Sequence, residues 1–303
     1  MSNLLPLFQT ALELGLIGSL TVLALFLSYS MLNVCDLSTD GCFTLGACVG
    51  AVVAISGHPY LSVIAAMLAG VLSGFITAFL QTKMGVDSLL AGIIMNTALY
   101  SVNIAIMGGS SLLNMNKTET VFTKLGSLLS GTFLSESTKL IIAFIAVSAV
   151  AVFLYFFLKT RIGLSIRATG NNPEMVRSSS INPAMTTIVG LCVANAFTGL
   201  SGCLLAQSQK SVNIDIGSGM VTIALASLLI GGTFIRSRRI GLRLIGTVIG
   251  AFIFRLVYTI ALRFNMPAYM LKLVSSVIVI IAISGPYLKS RFPEFYKKMG
   301  RKG

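Results

Sequence analysis

Long apolar segments, separated by short polar ones, repeat along almost the whole chain. Each is close to the roughly 20 residues that a helix needs to cross the hydrocarbon core of a bilayer. None of them shows the alternation of apolar and polar residues that is typical of membrane-spanning strands. The pattern predicts about nine membrane-spanning helices, within a range of eight to ten, near residues 9–33, 43–57, 60–83, 87–108, 138–159, 185–208, 219–235, 241–262 and 269–288.

Composition agrees with this pattern. Of the 303 residues, 55% are hydrophobic and only 10% are charged, whereas an ordinary soluble domain has roughly 25% charged residues. The predicted fold class is therefore an all-α integral membrane protein, a polytopic helical bundle with one transmembrane domain over residues 1–303. The net charge of +13 does not indicate nucleic-acid binding, because the positive residues collect in particular loops.

The distribution of Lys and Arg predicts the orientation in the membrane. One set of alternate connections, which includes Lys83 and the C-terminal tail, holds fifteen of them, and the other set holds six. Positive residues favour the cytoplasmic side, so we expect an outside N-terminus and a cytoplasmic C-terminus in a multi-pass protein of the cell membrane. The basic tail, residues 289–303, would lie beside anionic lipid headgroups.

Pairs of glycines four residues apart recur within the predicted helices. Such GxxxG pairs allow the backbones of two helices to approach closely. They are Gly46–Gly50, Gly70–Gly74 and Gly246–Gly250. They predict compact packing and indicate no particular partner.

The predicted cytoplasmic connection at residues 160–186 is too long for a minimal connector. Within it, the segment 171–174 is typical of a helix start, with an Asn N-cap, Pro at the first helical position and Glu in the first turn. Asn182 and Pro183 predict the end of that helix. We therefore expect a short helix outside the membrane. Its pattern alone leaves open whether it is a passive interfacial segment.

A polar break at residues 33–47 separates the first two apolar segments. It contains Asp36, Asp40 and Gly41. A break at membrane depth is tolerated only when it is buried in protein or faces a water-filled cavity. The alternative is a cytoplasmic loop with ordinary solvated carboxylates, and the sequence leaves both open.

Polar side chains also occur inside the predicted helices. Asn96, Tyr100 and Asn103 have the spacing of one helix face, and Asn195 and Gln207 lie in the sixth predicted helix. Hydrogen bonds between helices would explain them. They could equally line a pathway for a polar solute.

Arg255 is the only basic residue well inside a predicted helix. A charge at that depth is costly and usually faces a cavity or a partner, although a long side chain can also extend to the membrane surface. Pairing with an aspartate is as compatible with the sequence as a contact to solute. The candidate pathway residues are Asp36, Asp40, Asn96, Tyr100, Asn103, Asn195 and Arg255.

The sequence carries no pattern of an enzyme. It has no GxxxxGK[ST] loop for ATP, no HExxH metal motif and no plausible pair of nucleophile and base. We therefore expect a protein without catalytic residues, metal or cofactor.

Residues 166–185 resemble the coupling segment of permease subunits of ATP-binding-cassette (ABC) importers for branched-chain amino acids, ribose-type sugars and related solutes. Further segments are similar to motifs of the same group, namely Asp36–Ala47, Gly199–Gln209, Gly219–Gly232 and Leu262–Leu273. Together they resemble the subgroup associated with tryptophan or tyrosine uptake. The chain departs from it at Gly232-Thr233, where an acidic residue is common, and at residues 267–269, which replace a more polar turn.

The resemblance implies that separate subunits form the pathway, deliver the solute and bind ATP. Two permease chains, as a homodimer, would form the pathway, an extracytoplasmic binding protein would deliver solute, and two separate ATPase subunits would bind the ATP. The residues that would contact the ATPase are Gly170, Asn171, Asn172, Pro173, Glu174, Met175 and Arg177. The expected solute is an aromatic or branched-chain amino acid, with a sugar or nucleoside as the alternative.

A different type of transport protein is also compatible with the polar residues. A self-contained secondary transporter or channel would work without an ATPase. It predicts ion-coupling carboxylates within the helices and internal inverted repeats.

Overall fold

The chain folds almost entirely into α-helices. The computed structural model describes residues 4–128, 138–235, 237, 239–263, 273, 276–280 and 284. Its helices are α1 (Leu4–Leu25), α2 (Thr39–Ile55), α3 (Pro59–Thr82), α4 (Ser88–Ile106), α5 (Val121–Leu128), α6 (Thr138–Phe157), α7 (Arg161–Asn171), α8 (Pro173–Ser178), α9 (Pro183–Gln209), α10 (Met220–Phe234) and α11 (Ile240–Arg263). The strands β1 (Leu112–Asn114) and β2 (Ser211–Asn213) pair antiparallel.

Eight of the nine predicted apolar segments correspond to helices in this part of the chain. Six helices are long and apolar enough to cross a membrane, and α2 and α10 are shorter apolar helices. The prediction of a polytopic α-helical protein is therefore confirmed. The predicted helix at 269–288 and the basic tail at 289–303 lie outside the continuously described residues, as does most of the motif at 262–273.

Helix α9 forms the centre of the bundle. In its apolar window 78% of the residues are buried, against 33% in α3 and 28% in α4. It packs along α1, α2 and α3, while α10 packs on α11 and α11 packs on α1. In contrast, α3, α4, α6 and α11 leave broad apolar faces exposed, as expected for a surface in contact with lipid.

Close backbone approach explains the recurrent glycines. A Cβ on Gly46 would collide with the backbone of Gly199, and a Cβ on Gly70 would collide with the carbonyl oxygen of Asn195. A Cβ on Gly250 would meet the carbonyl oxygen of Ser227 in α10. The predicted GxxxG pairs therefore seat α2 and α3 on α9, and α11 on α10.

The polar break after α1 is a continuous irregular segment. Helix α1 continues as a π-helical segment, Phe26–Met31, and Asn33 then takes a left-handed conformation with φ of 57°. Asn tolerates this region better than most residues. The chain then runs through residues 34–38 and begins α2 at Thr39.

A long polar connection follows α4. Its described residues contain β1, which pairs with β2, and the short helix α5. The first N–H of α5, at Val121, donates to the side-chain oxygen of Gln207 at 2.8 Å. Gln207 also donates to the hydroxyl of Ser62 at 2.7 Å. This amide therefore ties three helices together.

Candidate functional site

Asp36 is buried in the break and bound on both carboxylate oxygens. One oxygen accepts from the backbone N–H of Ser38 at 2.9 Å and from its hydroxyl at 2.5 Å. The other accepts from the side-chain amide of Asn195 at 2.8 Å. Asp36 is only 4% exposed, and Asn195 lies near the midpoint of α9. The carboxylate is therefore enclosed by protein rather than solvated in a loop.

Asp40 holds the start of α10. Its two carboxylate oxygens accept from the backbone N–H groups of Gly219 and Val221, both at 2.8 Å. The first N–H groups of a helix have no partner within the helix, and the N-terminus carries a partial positive charge that favours an anion. Gly219 has φ of 85°, a conformation in which glycine is not strained. Asp40 thus caps a helix that lies 179 positions along the chain.

A polar cleft of about 390 Å³ lies between α2, α4 and the segment that joins β2 to α10. Four of the seven predicted pathway residues line it, namely Asp40, Asn96, Tyr100 and Asn103. The face of α4 predicted from sequence spacing is therefore directed at the acidic start of α2. The volume of the cleft lies within the range of small-molecule sites, roughly 300–1,000 Å³.

Asn103 is the most deeply buried polar residue of the cleft. It is 1% exposed, and its amide nitrogen donates to the carbonyl oxygen of Gly41 at 3.2 Å. Its side-chain oxygen has no hydrogen-bond partner among the described residues. Leaving such an oxygen unpaired costs about 1–3 kcal/mol. Tyr100, one turn earlier on α4, is 51% exposed.

Sequence reasoning missed part of this wall. Asp215 and Ser218, from the segment between β2 and α10, also line the cleft, together with Thr44 of α2. No sequence pattern marked Asp215 or Ser218 as part of a site, because an aspartate and a serine after a predicted helix end are ordinary features of a loop. Only the folding of this segment against α2 brings them to the site.

Arg255 lies apart from the cleft. It lines a smaller cavity of about 40 Å³ with Gly15, Phe43 and Ser227, and its guanidinium carbon is 5.1 Å from the ring centre of Tyr258. Its Nε is buried and has no hydrogen-bond partner within the described part of the chain. A space of this size holds a few water molecules, which is too small for an amino acid or a sugar.

The predicted helix in residues 160–186 is a pair of helices. Helix α7 ends at Asn171, and α8 begins at Pro173 with Asn172 as its N-cap, accepting from the N–H groups of Glu174 and Met175 at 3.1 Å each. The start predicted from sequence is thus close to the observed one. The observed end at Ser178 comes before the predicted breakers, since Pro183 instead begins α9. Helix α7 was not predicted.

Helix α8 exposes most of the residues expected to contact the ATPase. Glu174 and Arg177 form an ion pair at 3.0 Å with side chains 76% and 65% exposed, and Met175 is 68% exposed. Asn171, Asn172 and Pro173 are exposed as well. Val176 is 3% exposed, so this side chain anchors the short helix.

Gly170 is placed differently from the rest of this group. It is the penultimate residue of α7, and a Cβ on it would collide with the carbonyl oxygen of Met31 and with Leu32. The hydroxyls of Thr169 and Thr186 lie 2.8 Å apart and join α7 to α9. The end of α7 therefore contacts the segment that leads directly to Asp36.

The chain matches a known protein family over most of its length. The model of a family described as branched-chain amino acid transport system / permease component matches residues 8–283. The chain belongs to this permease family. It is therefore a multi-pass protein of the cell membrane and a transporter subunit of the ABC type, not an enzyme.

Relatives of the permease transport different solutes. It is 30% identical to a tyrosine transport system permease protein of Clostridioides difficile (strain R20291), over 88% of this chain and 86% of the relative. It is 26% identical to a ribose import permease protein of Escherichia coli (strain K12), over 82% and 75%. It is 28% identical to a nucleoside ABC transporter permease of Lactococcus lactis, over 54% and 49%. No solved structure matches.

Membership in the family has a general consequence for partners. ABC permeases work with an ATPase subunit and a solute-binding protein. The range of relatives covers amino acids, sugars and nucleosides, so the family by itself does not select one solute class.

Proposed function

We propose that this chain is the permease subunit of an ATP-driven importer for an amino acid, with an aromatic side chain favoured. The tyrosine transport permease is 30% identical over most of both chains. A sugar is the second candidate, because the ribose permease also matches over most of this chain. Two copies form the pathway, each contributing its polar cleft. The chain itself binds neither ATP nor another cofactor.

A continuous series of contacts from α8 to the polar cleft supports the proposal. Helix α8 presents exposed polar residues, and α7 before it rests on Met31 and Leu32. From Leu32 the chain leads within a few residues to Asp36 and then to Asp40, which holds α10 and lines the cleft. A rigid-body shift of α7 and α8, driven by an ATPase at the cytoplasmic face, would therefore reach the cleft through packed elements.

Reconstitution with its partners tests the coupling. The permease is placed in proteoliposomes with its cognate ATPase and binding protein, and ATP-dependent uptake of L-tyrosine is measured. The double charge reversal Glu174→Arg with Arg177→Glu retains an ion pair but changes the surface offered to the ATPase. We expect it to lower uptake at least about tenfold, the effect of about 1.4 kcal/mol.

A matched control uses the other described ion pair. Glu119 and Lys124 lie 3.3 Å apart in the connection after α4, which is predicted to be outside. The double charge reversal Glu119→Lys with Lys124→Glu should leave uptake near the wild-type level. Unchanged uptake in the Glu174 and Arg177 variant would remove α8 from the coupling mechanism. Uptake by the permease alone, driven by an ion gradient without ATP, would overturn the importer assignment and favour a secondary transporter.

The solute is identified most directly through the binding protein. Thermal-shift screening of that partner against amino acids, sugars and nucleosides selects the compound class. We expect stabilisation by tyrosine or another large amino acid, and stabilisation by sugars alone would replace the amino acid by the second candidate.

A further inference from the structure

An apolar groove runs along the surface of the bundle between α6 and α11. Its volume is about 500 Å³, and Leu16 of α1 contributes to its lining. Among the described residues that line it, only Ser148 and Tyr155 carry a polar side chain. Several lining side chains are exposed, namely Phe144, Val152, Phe156, Ile245 and Ile249. The groove therefore opens onto the lipid-facing surface of the bundle.

The length of the groove matches one leaflet of a bilayer. On α6 it extends from Phe144 to Phe156, which is roughly 18 Å along the helix axis. On α11 it extends from Gly241 to Ile249, which is roughly 12 Å. The hydrocarbon of one leaflet is about 15 Å thick, half of the bilayer core. Because Phe156 and Gly241 lie near connections that are predicted to be cytoplasmic, the groove belongs to the cytoplasmic leaflet.

Lys159 lies at the cytoplasmic end of the groove. Its amine donates to the hydroxyl of Tyr155 at 2.5 Å and is 4.0 Å from the centre of that ring. The same ring packs against the start of α11, because a Cβ on Gly241 would meet it at 3.3 Å. Arg239 is exposed two residues before Gly241. Two cations therefore lie at this end of the groove, one from each flanking helix or its connection.

The elements that flank the groove provide no acidic partner for these cations. The sequence has no Asp or Glu in residues 138–173 or 216–293, which include the whole of α6 and α11. Neither described ion pair of the chain involves Lys159 or Arg239. A site with one sign of charge attracts a group of the opposite sign. The end of the groove therefore favours an anion, whereas its length favours a hydrocarbon chain.

From these observations we propose that the groove binds an anionic phospholipid of the cytoplasmic leaflet, with one acyl chain between α6 and α11 and its phosphate at Lys159. An ammonium group has three donors, and one of them is bound to Tyr155, so the others are available to phosphate oxygens. Basic residues at the cytoplasmic surface of a membrane attract anionic lipids. This inference concerns the membrane around the permease and does not depend on the solute that it transports.

Native mass spectrometry of the full-length permease tests the selectivity for the headgroup. The protein is released from nanodiscs that contain equal amounts of phosphatidylglycerol and phosphatidylcholine with identical acyl chains, and the lipids that stay bound are counted. We expect the permease to retain phosphatidylglycerol in preference. Lys159→Gln should reduce this preference roughly fivefold, the effect of one cation near an anionic headgroup. The matched control is Lys83→Gln, which changes an exposed lysine at the end of α3 on the same predicted side, and it should keep the preference.

A second pair of variants tests the position of the acyl chain. Ser148 lines the groove, whereas the adjacent Ala149 is exposed and is not among its lining residues. Ser148→Trp places a large side chain in the groove, and we expect it to lower the amount of retained phosphatidylglycerol. Ala149→Trp adds the same side chain outside the groove and should retain lipid as the wild type does.

Four results would each overturn the lipid site. They are equal retention of the two lipids by the wild type, an unchanged preference in Lys159→Gln, an equal loss of preference in Lys83→Gln, and unchanged retention in Ser148→Trp. The same spectra report the oligomeric state. Loss of dimers in Ser148→Trp but not in Ala149→Trp would also overturn the inference, because the groove would then be an interface between two copies of the chain.

Discussion

The side-chain amide of Asn195 donates a 2.8 Å hydrogen bond to the carboxylate of Asp36, although the two residues are 159 positions apart. The bond fixes the irregular segment after α1 to the middle of the central helix α9. Because Asp36 is buried, its bonds are not in competition with water. The pair therefore anchors the residues just before the start of α2 at Thr39.

A double-mutant cycle measures this pair. We expect Asp36→Leu, Asn195→Leu and the double variant to give a coupling free energy of about 1.5–3 kcal/mol, since the bond involves a charged acceptor. The free energy of unfolding is measured by equilibrium SDS denaturation in mixed micelles. A coupling energy near zero would mean that Ser38 alone satisfies the carboxylate.

Asp40 should act as a helix cap with a local effect. Asp40→Ala removes both acceptors from the start of α10, and we expect a loss of about 1–2 kcal/mol. Asp40→Asn retains one acceptor and should lose less. Hydrogen exchange of the amides of Gly219 and Val221 reports the effect directly. Exchange at these amides that is no faster in Asp40→Ala than in the wild type would contradict the capping role.

Substitution of Gly170 tests the contact between α7 and the irregular segment after α1. In a free helix, Gly→Ala is favourable by about 1 kcal/mol, but a Cβ here would collide with the backbone at Met31. Overpacking of this kind costs about 1–3 kcal/mol, so we expect Gly170→Ala to destabilise the permease and to lower transport-coupled ATP hydrolysis.

The matched control for Gly170 is Gly18, a helical glycine of α1 whose added Cβ would meet nothing within 4 Å. Gly18→Ala should be neutral or stabilise the protein by roughly 0.5–1 kcal/mol. Thermal unfolding of both variants in detergent gives the comparison. A stabilised Gly170→Ala variant would show that α7 does not need to lie against Met31.

The orientation in the membrane can be tested by labelling. Asn116→Cys and Ser178→Cys introduce exposed thiols on the sides predicted to be outside and cytoplasmic. Cys35 and Cys192, which are half-buried, are first replaced by alanine. We expect a membrane-impermeant maleimide to label Asn116→Cys in intact cells, and Ser178→Cys only after permeabilisation. The reverse result would invert the topology predicted from the positive residues.

Much of the fold was accessible from the sequence. Apolar length is a local property, so eight predicted segments correspond to observed helices. The Asn-Pro-Glu pattern likewise placed the start of α8, because a helix cap depends on neighbouring residues. Helix α7 was missed, since its residues carry no long apolar run and its stability comes from packing at Gly163 and Gly170.

The candidate site was only partly accessible. The spacing of Asn96, Tyr100 and Asn103 correctly predicted a shared helix face, and the sequence left open whether Asp36 would be solvated. It grouped Arg255 with these residues, although the structure puts Arg255 in a separate small cavity. It also missed Asp215, because no local pattern distinguishes this carboxylate from that of a loop.

The sequence by itself therefore determined the membrane class, the positions of most helices and the family. Each of these depends on properties of consecutive or regularly spaced residues. Only the tertiary structure decided that Asp36 binds Asn195, that Asp40 caps α10, and that Asp215 joins Asn103 in one cleft. Burial and hydrogen-bond partners across long separations depend on how the helices pack, and small residues such as Gly46 and Gly199 set that packing by allowing close backbone approach.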